Sequence, residues 1–545
     1  MAGLLPALVL VFSLQSSHAG SATWNLSPAS GAWNTATNWT PNTVPNGPAD
    51  IATFGVSNTT NISLSGSIEV DSIVFNAGAS AFTITCPLGF FSFEGAGVTN
   101  NSQTAQNFVA TSSVAFAAGQ IDFDNSATAG NATFTHRCDA GPCGQSFFDG
   151  TSTAGEATFV NEAGTSGGGS MTFGTSSTAG NSAIITNGGS DSALGAGFVQ
   201  FLGESSAGNS TMITNGAANS AALGGSLEFD TNSTASSAVI TANGGTVSSA
   251  PGGKTSLASS STADQATLIA NGGTNGGQGG IISFLEGSTG GTAHIEIFGS
   301  GTGAVTDGTL DITQHFPGVV VGSLEGNGLV LLGANDLTIG SNNLSTAFGG
   351  VIQGTGSIIK TGTSKLTLST ANTYTGGTTI SKGTLLVTNR TGSATGTGTV
   401  QVQAGTLGGT GKISGAVTVA SGTKAAILAP GSGSKPGKLT MLSTLVFNSH
   451  ATYRVDLNNQ TAKADSIVAK GVTINSGAVF SIFDPGSGTL TTGTVFTMIS
   501  NTAATPIAGT FSNAPDGSTI NVGSDTFQVS YEGGDGNDLT LTVVP

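Results

Sequence analysis

The chain has 545 residues, of which 85 are glycine and only 8% are charged, and 29 acidic against 13 basic side chains give a formal net charge of -16. That balance excludes nucleic-acid backbones and anionic lipid surfaces as natural partners, since like charge repels and no basic patch interrupts it. A disordered Gly/Ser linker is excluded as well, because 28 phenylalanines and a mean hydropathy of +0.17 leave a large apolar surface to bury.

Residues 1–19 read as a secretory leader: an apolar run from Leu4 to Leu14 precedes Ser17-His18-Ala19, a small-x-small cleavage site before Gly20. The run is shorter than the ~20 apolar residues that span a bilayer, and no later segment reads as a membrane helix. Residues 20–120 are expected to form an N-terminal cap and the first β rungs. Trp24, Trp33 and Trp39 there would plug the open end of the first rung; the rival reading is an aromatic platform for sugars. Among the three cysteines, Cys138 and Cys143 bracket a short loop and are expected to pair, leaving Cys86 free. Together with His136 they lack the second ligand pair of a zinc site.

Residues 121–316 are a tandem repeat. An aromatic or leucine anchor recurs at Phe123, Phe148, Phe173, Phe201, Phe229, Leu257 and Phe284, at spacings of 25, 25, 28, 28, 28 and 27 residues. A period in this range marks a solenoid, in which each rung touches only its neighbours. Nine residues after each anchor stands a small residue (Ala132 to Ala293), and two further on a large apolar one (Phe134 to Ile295). That is strand alternation with both side chains facing one interior. Fourteen residues after four successive anchors comes Asn-Gly, beginning at Asn187, Asn215, Asn243 and Asn271. It reads as a turn tolerating positive φ. The stacked asparagines would either form an amide ladder or serve only as turn formers. With rungs about 4.8 Å apart and about 26 residues per turn, the rod would be roughly 90 Å long.

Residues 317–430 change to Gly-Thr-rich strands. The segment 349–390, with Leu366-Thr367-Leu368, Asn372-Thr373-Tyr374-Thr375-Gly376-Gly377-Thr378-Thr379 and Gly383-Thr384-Leu385, resembles the autotransporter-associated β-strand repeat. Gly405 to Gly411 and Ala429-Pro430-Gly431 resemble the strand-turn segments that follow this repeat. The Trp24-Trp33-Trp39 pattern resembles the opening of such proteins. The resemblance implies a parallel, right-handed β-helical passenger, secreted or held at the bacterial cell surface or outer membrane, with no enzyme activity attached to the repeat. Residues 431–545 read as a C-terminal β segment closing the rod. They lack the alternating strands and aromatic girdles of a membrane barrel, so export is expected to use another route or a portion beyond this sequence.

Candidate chemistry is sparse. Asp122, Asp124, Asp149, Glu228 and Asp230 flank inward anchors and should therefore point outward, with Asp124 and Asp149 about one rung, roughly 5 Å, apart. Such a stripe would suit a retaining glycosidase pair or a hard cation, or would simply keep an exposed sheet solvated. Asp535 and Asp538, in Gly533-Gly534-Asp535-Gly536-Asn537-Asp538-Leu539, match a single calcium nonapeptide; the competing reading is a strand-connecting turn. His18, His136, His294, His315 and His450 are scattered and begin no ligand-pair motif. The expectation is thus an all-β, parallel β-helix solenoid with caps at both ends. No catalytic residue, cofactor or metal is assigned, and the role expected is adhesive or structural. Its partners would be cell-surface glycans, other surface proteins or further copies of itself. A carbohydrate-active enzyme using the acidic stripe is the alternative.

Overall fold

The structure, a computed structural model, describes residues 20–545 apart from 113–116, 140, 166, 192, 432, 434–435 and 484–487; the leader at 1–19 lies outside the described residues. The chain winds as a parallel β-solenoid of about 17 turns. One side is a fifteen-stranded sheet running from Trp39–Thr40 and Ala22–Trp24 through Gly119–Phe123 and Ser226–Phe229 to Val351–Gln353. A second is a parallel ladder from Asn61–Ser63 through Thr133–His136 and Thr267–Ala270 to Val479–Phe483. A short third side holds single bridges such as Thr128 to Thr153 and Thr153 to Thr178. From Gly318–Val321 onward it widens into an eight-stranded sheet ending at Val472–Ile474.

Register puts equivalent residues of successive copies directly over one another, so Phe123, Phe148 and Phe173 are paired neighbours. All the anchors are buried. From Phe93, the register partner of Phe123 one turn earlier, to Phe229 the rings stack at 4.5–4.9 Å with planes within 13° of parallel. That separation is the inter-strand spacing itself, so the backbone ladder sets the ring distance and offset stacking follows at no cost in register. The small and large positions at nine and eleven residues past each anchor are buried too, and they fill the facing side of the same narrow core.

The short third side lies between the first and the second, and in every turn of the repeat a left-handed residue stands on each side of its bridge residue. Two residues after each anchor φ lies between 49° and 67° (Asn125, Gly150, Thr175, Gly203, Thr231, Ser259, Glu286). Seven residues after, it lies between 49° and 63° (Gly130, Gly155, Gly180, Gly208, Ser236, Asp264, Gly291). The Asn-Gly pairs behave otherwise: none of Asn187, Asn215, Asn243, Asn271 or the glycines after them has positive φ. Glycine is needed there for close approach, since a Cβ on Gly188 would lie 2.5 Å from the carbonyl oxygen of Gly216. The asparagines form the ladder. Nδ2 of Asn215, Asn243 and Asn271 each donates to Oδ1 of the asparagine one turn earlier, at 2.9 Å.

One position earlier in the rung, an inward polar row begins at His136. Its Nδ1 lies 2.6 Å from Asn161 Oδ1, and its Nε2 lies 2.7 Å from Ser146 Oγ. Asn161 in turn donates to Thr186 Oγ1 at 3.3 Å. With the asparagine oxygen accepting at Nδ1, the ring is neutral, and full burial pushes its pKa down to about 4. Cys138 and Cys143 form a disulfide, and Cys86 is a buried free thiol.

Both ends are closed by a change of strand direction. At the start, Trp39–Thr40 pairs antiparallel with Ala22–Trp24. The three tryptophans are buried and pack edge-on at 4.8–4.9 Å. Their indole N–H groups donate to the carbonyls of Thr59, Pro45 and Trp33. Buried and bonded in this way, they offer no face to a sugar, and the plug reading holds. At the far end Val495–Asn501 takes Asp538–Val544 as an antiparallel neighbour, followed by Asp525–Gly533 and Thr519–Val522.

Candidate functional site

Three outward features follow from this winding. The first is the outer face of the second side. Its strands from Thr133–His136 to Thr267–Ala270 carry no ionised side chain, since the one histidine is inward and neutral. Thr135, Val160, Ile185, Ile213, Thr241 and Ile269 lie in register as one outward row. Five inter-strand steps make this row about 24 Å long. Each of these side chains is half-buried.

The second is an open depression on the first side, lined by Gln120, Asp122, Asp124, Phe147, Asp149, Thr172 and Thr175. Glu94 joins Asp124 and Asp149 at its edge. The sequence places Asp122, Asp124 and Asp149 here correctly. Glu228 and Asp230 lie further along the face, and Gly174 and Leu202 interrupt the stripe. Burial pushes the Asp122 carboxyl up to about 6, with the charges of Asp124 and Glu94 adding to the rise and the Gln120 amide, at 2.8 and 3.0 Å, opposing it. Burial, and then the Glu94 and Asp149 charges, also raise Asp124, against a hydrogen bond from Ser92. Asp149 moves the other way, because the Thr175 hydroxyl and the Gly150 N–H donate to its carboxylate.

The third is a group that sequence reading missed. His294, Glu296 and Glu325 bring one ligating atom each within 4.8 Å of one another. Only the register identifies it, because Glu325 comes from the next turn, opposite Glu296. Asp535 and Asp538 lie at the hairpin joining Asp525–Gly533 to Asp538–Val544. There the Asp538 carboxylate accepts the Asn501 N–H at 2.8 Å.

The Gly-Thr region has its own geometry. Ile358–Lys360 pairs with Thr378–Ile380 on the third side, and Lys365–Leu368 with Thr384–Val387 on the second, so these residues complete one turn and begin the next. Asn372 is buried and fastens three turns, accepting the Ile352 N–H at 2.7 Å and donating to the Ala394 carbonyl at 2.6 Å. Tyr374 is buried with its hydroxyl 2.6 Å from Thr378 Oγ1. These are residues of the motif that resembles the autotransporter-associated repeat: Asn372 ties its turn to the turns on either side, and the Tyr374 bond braces the bend within its own turn.

Residues 358–387 match the family model of the passenger-associated-transport-repeat. A stretch of 107 residues is 41% identical to the adhesin BmaC autotransporter of Brucella suis biovar 1 (strain 1330). That alignment covers 19% of this chain and 3% of the adhesin.

Proposed function

From the premise that this chain is an autotransporter passenger-like β-helix, a secreted or cell-surface protein, we propose that it acts as an adhesive scaffold at the bacterial surface. The observation that carries this is the uncharged outer row from Thr135 to Ile269, a flat, pre-formed surface that repeats a β-branched contact every turn. Binding by such a face gains from many small contacts on a rigid frame, with little ordering to offset. Glycans, with apolar ring faces and peripheral hydroxyls, and the surfaces of other exported proteins suit it equally. The adhesin name belongs to a relative aligned over a small fraction of its length, and supports the reading to that extent.

The test is binding of the purified chain to a glycan array and to cell layers, with Ile185→Lys and Ile213→Lys as variants. Both positions are outward, so the fold should be retained by circular dichroism while binding falls about tenfold or more, as for the loss of a central contact worth over 1 kcal/mol. Undiminished binding by the double variant would sink the proposal.

A second reading rests on the acidic depression, where the carboxyls of Asp122 and Asp149 are pushed in opposite directions, as an acid and a base at one site would be. It predicts release of sugar fragments from an acidic or neutral polysaccharide, abolished by Asp122→Asn or Asp149→Asn. Absence of fragments across a polysaccharide panel would dispose of it.

A further inference from the structure

We propose that His294, Glu296 and Glu325 form a binding site for a divalent transition-metal ion of the zinc class, clamping two successive turns. His294 and Glu296 are two apart on the strand His294–Ile297, so their side chains leave the same outer face. Glu325, on Ser323–Gly326, is the register partner of Glu296. His294 Nε2 lies 3.4 Å from Glu296 Oε1 and 3.5 Å from Glu325 Oε1. Nε2 is itself shielded from solvent and makes no hydrogen bond. The ring nitrogen thus faces two carboxylates at ion-pair distance without a hydrogen bond to either, and a bound cation would satisfy all three groups at once.

Both distances from His294 fit such an ion, and all three donors lie within 4.8 Å of one another. Metal–ligand bonds of about 2.0–2.2 Å in a tetrahedron place neighbouring donors about 3.3–3.6 Å apart, and both His–Glu separations fall on or near that edge length. One imidazole with two carboxylates is a donor set for zinc or a similar first-row ion. Calcium, which takes six to eight oxygens, finds too few here. A fourth position remains for water or an incoming ligand.

The surroundings hold the site from behind. Ser341 Oγ donates to the Gly291 carbonyl at 2.9 Å. Asn342 Nδ2 donates to Ser323 Oγ, the residue in register with His294, at 2.9 Å. The loop bearing Ser341 and Asn342 thereby lies against the turn that presents His294. The two turns are joined by a complete winding, through Thr309–Asp311 on the first side and Gly318–Val321 on the third, whose loops carry the exposed Val305 and Phe316. An ion bonded to both turns would tie the last of the 25–28-residue rungs to the first turn of the Gly-Thr-rich region.

Calorimetric titration of zinc chloride into the untagged, chelator-washed full chain tests this, alongside the visible absorption of cobalt as a geometry probe. The expected result is one ion per chain with an intense tetrahedral cobalt band. Losing a ligand should cost more than the ~10–100-fold typical of outer-shell changes, so His294→Ala and Glu325→Gln should each weaken binding about a hundredfold or more. His450→Ala, at an exposed histidine outside the group, should bind as the parent does. If His294→Ala fails to fold, Glu325→Gln decides, since its half-exposed side chain keeps shape and size. No binding, binding unchanged in Glu325→Gln, or calcium bound in preference to zinc would each overturn the proposal.

Discussion

Replacing Asn215 at the centre of the amide ladder tests whether side chains outside the core hold the turns together. Asn215 donates to Asn187 Oδ1 and accepts from Asn243 Nδ2, both at 2.9 Å. Each bond contributes about 0.5–1.5 kcal/mol net, and removal also strands two half-buried partners. Asn215→Ala should therefore cost about 2 kcal/mol, equivalent to roughly thirtyfold faster amide exchange. Because each turn contacts only its neighbours, the loss should appear in Thr211–Thr214 and Val239–Ala242 and not in Asp538–Val544. Asn215→Asp is the sharper variant. A carboxylate still accepts from Asn243 but cannot donate to Asn187, and it sets a negative charge against an amide oxygen. At neutral pH this variant should be at least as damaging as alanine, whereas protonation restores a donor and with it part of the protection. Hydrogen-exchange mass spectrometry at pH 7 and near pH 4 reads both effects. A ladder variant that exchanges like the parent, or an aspartate variant identical to alanine at both pH values, would refute the reasoning.

Phe173→Ala removes a ring stacked at 4.6 Å on Phe148 and 4.5 Å on Phe201; urea unfolding should show a loss of about 3–5 kcal/mol confined to neighbouring turns. Asp122, raised to about 6, holds its proton more tightly folded than unfolded, so its contribution is favourable below about 4 and is lost as pH rises through 6. Asp122→Asn should accordingly gain stability over the parent on going from pH 4 to pH 7, by about 1–3 kcal/mol in the unfolding free energy from urea titrations. His136 acts oppositely: lowered to about 4, it contributes fully above 6.5, and its stability is lost as pH falls towards 4. His136→Leu should flatten acid unfolding in that window while losing stability at pH 7, because Asn161 and Ser146 are left without their ring partner.

The core was legible because burial imposes residue type at fixed spacing: Phe123 to Phe284 and the positions nine and eleven residues later keep their type from copy to copy. Corner conformation was not. The left-handed positions hold Asn, Gly, Thr, Ser, Asp and Glu in turn, a mixture without a compositional signature. Asn-Gly misled for a related reason, since the same dipeptide that suits a positive-φ turn also suits an extended backbone pressed against another. The site on His294 and Glu296 lay hidden because its third member is 29 residues beyond Glu296, past the last aromatic or leucine anchor, so that no anchor marks the turn that brings it into register. Asp122, Asp124 and Asp149, by contrast, could be placed on one face from their position beside inward anchors alone.

The backbone bonds that join one turn to the next run along the rod. Drawn apart from its two ends, the molecule would part bond row by bond row, as a zip opens, and each turn released would free about 27 residues of chain. At about 3.4 Å per extended residue that is some 90 Å of slack per turn against a starting rise of about 5 Å. A solenoid wound in this way can lengthen nearly twentyfold while the turns still wound keep their shape, so a load that breaks some contacts leaves the others presented as before.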